Sequence, residues 1–227
     1  MAANQLLFFH GLSLTSPIDA SIIITFIPVF TVVFSAFILK EKITTNKLLG
    51  ITIGGTGAVL LIAYGNQTGG TSSLLGNLFV FINAGSYGLY LVLAKPLMKK
   101  YNALTVISWV FLFGFLFMFP FGVNDVITTD FSAFTAQTYG AVAFVIIGTT
   151  FLAYLFNIYA LNYVSPAVTG SYTYVQPAVS FIMVSIYAYV WGVTEYAQDI
   201  TPIKIGSCFL VVTGVYLISK RQKEKAL

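Results

Sequence analysis

Long uncharged apolar stretches separated by short polar breaks run through this chain. The first lies between Asp19 and Lys40 and is entered by Ser16-Pro17, a hydroxyl cap followed by proline in the first turn of a helix. No charge occurs between Lys47 and Lys95, and the break inside that stretch, Gly65-Asn-Gln-Thr-Gly-Gly-Thr-Ser-Ser73, is turn chemistry. It predicts two spans, over residues 48–64 and 74–94. Another covers 103–121 and stops at Pro120-Phe-Gly-Val-Asn-Asp125. The run 131–194 breaks at Asn162-Tyr-Val-Ser-Pro166, which predicts spans over 139–161 and 166–190. The last follows Pro202 and ends at Ile218, with Lys204 near its start placed to snorkel outward.

A helix needs about 20 mostly apolar residues to cross the hydrocarbon. Backbone polar groups in lipid must bond within the segment, and the alternating segments of a membrane barrel do not occur here. The pattern therefore predicts an all-α membrane protein, a polytopic helical bundle of seven full spans. Residues 1–14 are apolar but too short to cross, lack the basic start of a signal peptide, and end at Thr15-Ser-Pro17. They read as the tail of a helix that starts before Met1, so the chain is expected to be truncated at its N-terminus.

Composition supports the membrane reading. Of 227 residues 58% are hydrophobic and 8% charged, with mean hydropathy +0.89; soluble domains carry about 25% charged residues. So few charges cannot coat a water-soluble globule, which argues against soluble enzymes, nucleic-acid binders and disulfide scaffolds. One cysteine, Cys208, permits no intrachain disulfide. Ten of the eleven basic residues lie in 40–47, 95–100 and 220–225, which span parity puts on one side. The positive-inside rule makes that side cytoplasmic, and the six-residue run from Lys220 reads as a juxtamembrane, headgroup-contacting tail. Asp19, Asp125, Asp130, Glu195 and Asp199 fall on the other side.

The chain also repeats itself. The segment from Phe9 matches that from Ile158 at an offset of 149, which sets Ser16-Pro17 on Ser165-Pro166, Leu12 on Leu161 and Pro28 on Pro177. Further on, Gly57-Ala-Val-Leu-Leu-Ile62 matches Gly214-Val-Tyr-Leu-Ile218 after an insertion of eight residues near 192–198. The offset covers an odd number of spans, so the second copy crosses the bilayer in the opposite sense. Inverted repeats of this kind are typical of transporters, whose halves rock about a midplane site.

Ala160-Leu-Asn-Tyr-Val-Ser-Pro166 through Gln176-Pro177, with Gly206 and Gly214-Val-Tyr-Leu-Ile218, resembles the EamA domain of the drug/metabolite transporter superfamily. So does the first copy, with Ser16-Pro17, Pro28, Leu39-Lys-Glu41-Lys-Ile-Thr44, Gly50 and Gly57. The resemblance implies ten helices, five per half, with both ends cytoplasmic. On that plan residues 1–66 are an incomplete first repeat beginning midway through the third helix, 74–219 are the second repeat, and 220–227 are a basic cytoplasmic tail. Val190-Trp-Gly-Val-Thr-Glu195 departs from the short Gly-Glu turn of the pattern.

Polar side chains inside the spans are the candidates for function, because lipid offers them no partner. Asn83, Ser86, Tyr87 and Tyr90 share one helix face at i, i+3, i+4 and i+7. They line either a wet cavity or a helix–helix hydrogen-bond seam. Tyr154 and Asn157 form an i, i+3 pair, and Tyr172 and Gln176 an i, i+4 pair with Tyr174 turned away. Pro28 and Pro177 predict paired helix kinks at matching positions of the two copies, a pointer to a substrate site. His10, the single histidine, falls inside a span opposite Tyr159 of the second copy. It is a candidate for proton coupling, with a tied-down packing histidine as the alternative. Asp19, three residues after Ser16, reads as a helix-capping residue. Gly50, Gly54, Gly55 and Gly57 read as close helix packing rather than a phosphate loop. Asn66-Gln-Thr68 fits a glycosylation sequon, a short match that carries little weight.

No spacing for a metal site or an activated nucleophile is present, so no cofactor is expected. The reading is a permease or exporter of small organic metabolites or amino acids in a bacterial inner membrane, working by alternating access. Its expected partners are a small-molecule substrate and the lipid bilayer, not nucleic acid, and a homodimer is left open. Rivals are a membrane adaptor or non-transporting fragment and, further off, a membrane-embedded lipid-modifying enzyme.

Overall fold

Helix boundaries follow the caps and prolines of the sequence closely in a computed structural model that describes residues 2–64, 72–192 and 200–219. The elements are α1 (Ala2–Leu12), α2 (Pro17–Ile24), α3 (Ile27–Ile38), α4 (Thr45–Tyr64), α5 (Leu74–Leu97), α6 (Ala103–Thr128), α7 (Ala136–Phe144), α8 (Ala153–Ala160), α9 (Pro166–Gly170), α10 (Val175–Trp191) and α11 (Pro202–Ser219). A π-helical stretch, Val145–Leu152, joins α7 to α8, and a 3₁₀ turn, Ser171–Tyr174, joins α9 to α10. No strand occurs among the described residues. The sequon, residues 193–199 with Glu195 and Asp199, and the basic tail from Lys220 lie outside the described residues.

The protein is a polytopic all-helical membrane protein. Six stretches are long and apolar enough to cross a bilayer: Pro17–Ile38, Thr45–Tyr64, Leu74–Leu97, Ala103–Thr128, Ala136–Ala160 and Pro166–Trp191. The seventh expected span is a shorter apolar helix, Pro202–Ile218. At about 1.5 Å per residue it is about 25 Å long, slightly less than the hydrocarbon core. The span expected to stop at residue 121 instead runs on to Thr128, because Pro120 is accommodated inside α6. A membrane helix tolerates that when nearby groups re-satisfy the freed carbonyl.

The chain forms two compact units, one of Ala3–Val92 and Pro166–Leu227, the other of Met1–Ala2 and Leu93–Ser165. In the larger unit the closest helix packing is between α4 and α11. A side chain at Gly50 would collide with the Gly214 carbonyl, and one at Gly214 with the backbone of Gly54. A Cβ on Gly57 would sit 2.9 Å from Leu210 Cβ, whereas one on Gly55 would meet nothing. Lipid tails are as apolar as the helices, so association here rests on close backbone approach rather than on the hydrophobic effect. The glycine run is a packing seam, with Gly55 on its outer side. Around it Ile18, Ile22, Ile23, Leu61, Leu91, Val211 and Val215 are fully buried.

The smaller unit packs α6 against α8, with Phe111 meeting Tyr154 edge-on at 6.3 Å. Asn102 caps α6 by accepting from the Thr105 backbone N–H at 2.9 Å, and Thr135 caps α7. Lys95, which the sequence places in a loop, lies inside α5. Its ammonium donates to the Val164 carbonyl at 2.8 Å and to that of Leu161. These are orphan carbonyls at and just beyond the C-terminal end of α8, where the helix dipole favours a cation. Trp109, Phe113, Phe115, Phe117, Ile146 and Phe156 are exposed, which suits a surface that meets lipid.

Candidate functional site

Two helix breaks converge in the larger unit. Ser16 caps α2, accepting from the Asp19 N–H at 3.2 Å, and Pro17 occupies the first turn. The helix lapses at Thr25-Phe26 and resumes as α3 ahead of Pro28, whose carbonyl accepts from the Thr31 hydroxyl at 2.8 Å. In the second copy α9 gives way to the 3₁₀ turn before Gln176-Pro177, and the Thr173 hydroxyl donates to the Gly170 carbonyl at 2.9 Å. The copies touch here: a Cβ on Gly170 would lie 3.1 Å from Ile27 and 3.6 Å from Pro28. Pro28 and Pro177 are both buried.

Beside these breaks lies a cavity of about 560 Å³. Phe8 and Leu12 of α1 and Pro17, Ala20, Ser21 and Ile24 of α2 form one side of the lining, and Tyr172, Gln176, Ser180 and Met183 the other. Its size is that of a small-molecule site. None of its lining residues is charged, and the polar groups come from Ser21, Tyr172, Gln176 and Ser180. Tyr172 and Gln176 thus meet at one cavity. Tyr172 sits in the 3₁₀ turn and Gln176 on α10, so they do not share a regular α-helical face. The side chain of Tyr174 lies outside the described residues.

The other sequence candidates are placed as follows. Asn83 is buried and locked to α1, donating to the Asn4 carbonyl at 2.7 Å while Asn4 donates to the Asn83 carbonyl at 3.1 Å. It is a helix–helix hydrogen-bond seam. Tyr87 and Tyr90, a turn further along α5, bring their rings to 5.7 Å, with Tyr87 buried and Ser86 half-buried. In the smaller unit, Tyr154 is buried and Asn157 donates to its own helix, to the Ala153 carbonyl at 2.7 Å. His10 is exposed beside Phe79, with the ring centroids 6.5 Å apart. Its counterpart Tyr159 shares a 2.9 Å hydrogen bond with Tyr163, which raises the Tyr163 pKa above the ordinary phenol value.

Lys204 does not snorkel. Its ammonium lies 2.8 Å from Asp19, and both side chains are wholly buried. Asp19 does not bond back to the cap residue either, because the Ser16 N–H donates to the Ser72 hydroxyl instead. Its carboxylate accepts from Asn77 at 3.2 Å, and Asn77 in turn accepts from the Thr15 hydroxyl. A lysine this deep is held by a fixed partner, since an isolated buried charge is too costly. A sequence signal for the pair exists. Ser16-Pro-Ile-Asp19 and Thr201-Pro-Ile-Lys204 place opposite charges at the same step of two helix starts.

Comparison with known proteins fits this architecture. The profile of the EamA-like transporter family matches residues 1–63 and 74–220. The chain belongs to that family. Among EamA relatives, the uncharacterized transporter YetK of Bacillus subtilis is 29% identical over 176 residues, covering 77% of this chain and 53% of that protein. The chain thus spans about half the length of YetK. An uncharacterized transporter of Archaeoglobus fulgidus is 25% identical over 89% of this chain and 68% of its own length. A probable terminal-alkyne amino-acid exporter of Streptantibioticus cattleyicolor is 26% identical over 97% and 70%. A solved crystal structure superposes with a TM-score of 0.63 at 17% identity, over 96% of this chain and 72% of that one, and shares the fold.

Proposed function

We propose that this EamA chain carries small, largely apolar organic solutes, amino acids among them, across a bacterial inner membrane by alternating access of its inverted repeats. The basic tail then faces the cytoplasm. One observation carries the reading: the uncharged cavity of about 560 Å³ set against the helix breaks of both copies. Such a lining suits a solute with an apolar body and a few groups to hydrogen-bond, which Tyr172 and Gln176 supply. A strongly ionic solute would lose its hydration without compensation. The amino-acid exporter among the relatives supports amino acids as the class to test.

The test is counterflow in proteoliposomes with a panel of labelled neutral amino acids, aliphatic and aromatic. At least one is expected to exchange, with Tyr172→Ala and Gln176→Ala each lowering exchange at least tenfold. Exchange that survives both substitutions together would place the site elsewhere, and no exchange of any neutral amino acid would remove that solute class.

A further inference from the structure

We infer that Asp19 and Lys204 form a latch that fixes the position of α2 and so sets how open the cavity is. The inference rests on the cavity reading above.

A buried ion pair is a poor device for mere packing. Desolvating both charges costs about as much as their attraction returns, and apolar replacements of similar volume are often as stable or more so. The best attested use of such a pair is to choose one arrangement over another. Here it ties together the starts of separate helices. Asp19 is on α2, Lys204 on α11, and Asn77, which donates to Asp19, is on α5. Lys204 also reaches the Ser72 hydroxyl at 3.4 Å, the same group that accepts from the Ser16 N–H at 3.2 Å. The starts of three helices meet at one polar knot.

Two of the three are longer helices. The glycine seam fixes α11 to α4, and α5 is a continuous helix of 24 residues. α2 differs, with 8 residues and a lapse at Thr25-Phe26 just before Pro28. It is a short segment, buried against α4, α10 and α11, with a joint at one end and the ion pair at the other. Its Pro17, Ala20, Ser21 and Ile24 line the cavity. Any swing of α2 about the joint therefore changes the width of the cavity.

The repeat shows that the latch is one-sided. Asp19 corresponds to Val168 in the second copy, at the offset of 149 that relates Pro28 to Pro177. Lys204 corresponds to Lys47 at the offset of 157 that relates Gly57 to Gly214. Lys47 lies 3.7 Å from Glu41 in a partly exposed pair. The end of the unit remote from residues 40–47 has a buried lock, and its counterpart at the basic loop has a surface pair, which is weak.

The experiment reads cavity access without any substrate. Ser180→Cys, on the α10 side of the cavity, is introduced with Cys208→Ser, and its thiol is reacted with a cationic methanethiosulfonate in unsealed membrane fragments. The decisive variant is Asp19→Asn/Lys204→Met, which removes both charges and leaves neither alone. The expected result is a rate at the Ser180→Cys thiol at least threefold above that of the protein with the latch intact. Native Cys208 on α11, read in chains that retain Ser180, is expected to keep its rate within twofold in the same double variant. A smaller change or a slower rate at the Ser180→Cys thiol overturns the latch. So does a rise at Cys208 as well, which would mark general loosening. Because no solute is involved, failure here leaves the carrier reading standing, and failed counterflow does not touch this result.

Discussion

Lys204 and Asp19 behave as a unit, so the cost of altering them depends on whether one or both change. Lys204→Met strands a buried carboxylate, and loss of one partner of a buried pair costs about 3–5 kcal/mol. The Asp19→Asn/Lys204→Met double change is expected to cost much less. Thermal unfolding in detergent checks this, with the single variant melting well below the double. Asn83 makes a parallel case. Asn83→Ala removes one of two reciprocal bonds to α1, and membrane helix bonds of this kind average about 0.6 kcal/mol. A small fall in melting temperature is expected, matched by Asn4→Ala, which removes the other bond, and about doubled in the double variant. Spacing on a single helix showed that Asn83 and its neighbours need protein partners. It could not show that Asn4 is the partner, because residues 79 positions apart meet only through tertiary packing. The snorkelling expected of Lys204 failed for the same reason. Its stem is long enough to reach water, yet a fixed carboxylate 2.8 Å away holds it inside.

Helices were legible where lipid dictates them. Length, freedom from charge, and the Ser16-Pro17 and Ser165-Pro166 starts correspond to elements close to where they were expected. Pro28 is the second residue of α3 and Pro177 the third of α10, each just after a lapse in α-helical winding. The π-helical stretch Val145–Leu152 was not legible, since no local rule in Val-Ile-Ile-Gly-Thr-Thr-Phe-Leu separates i→i+5 from i→i+4 bonding. Nor was the passage of α6 through Pro120, because proline weighs less against a helix in a membrane than in water. The α4–α11 seam gives the sharpest prediction for an element. Gly214→Val would drive two methyl groups into the backbone of α4 and is expected to abolish folded protein. Gly55→Ala faces open space and is expected to be neutral or mildly stabilising. Yield of monodisperse protein on size exclusion distinguishes them, and equal yields would refute the seam.

For the molecule as a whole, the repeat matters more than any one residue. The larger compact unit draws on both copies, pairing α3 with α9 and α4 with α11, so neither copy completes it alone. The cavity is likewise bounded by pieces of both copies, and the flux measurements above test the proposed carrier at that scale.

The backbone contact of Gly50 and Gly54 with Gly214 has a consequence for assembly. It joins an early segment of the polypeptide to its penultimate stretch by shape alone, with no peptide bond needed between them. Residues 1–64 and 72–227 expressed as separate polypeptides should accordingly find each other in the bilayer and co-purify through a tag on either one. A Gly214→Val change in the longer piece should leave the shorter one behind.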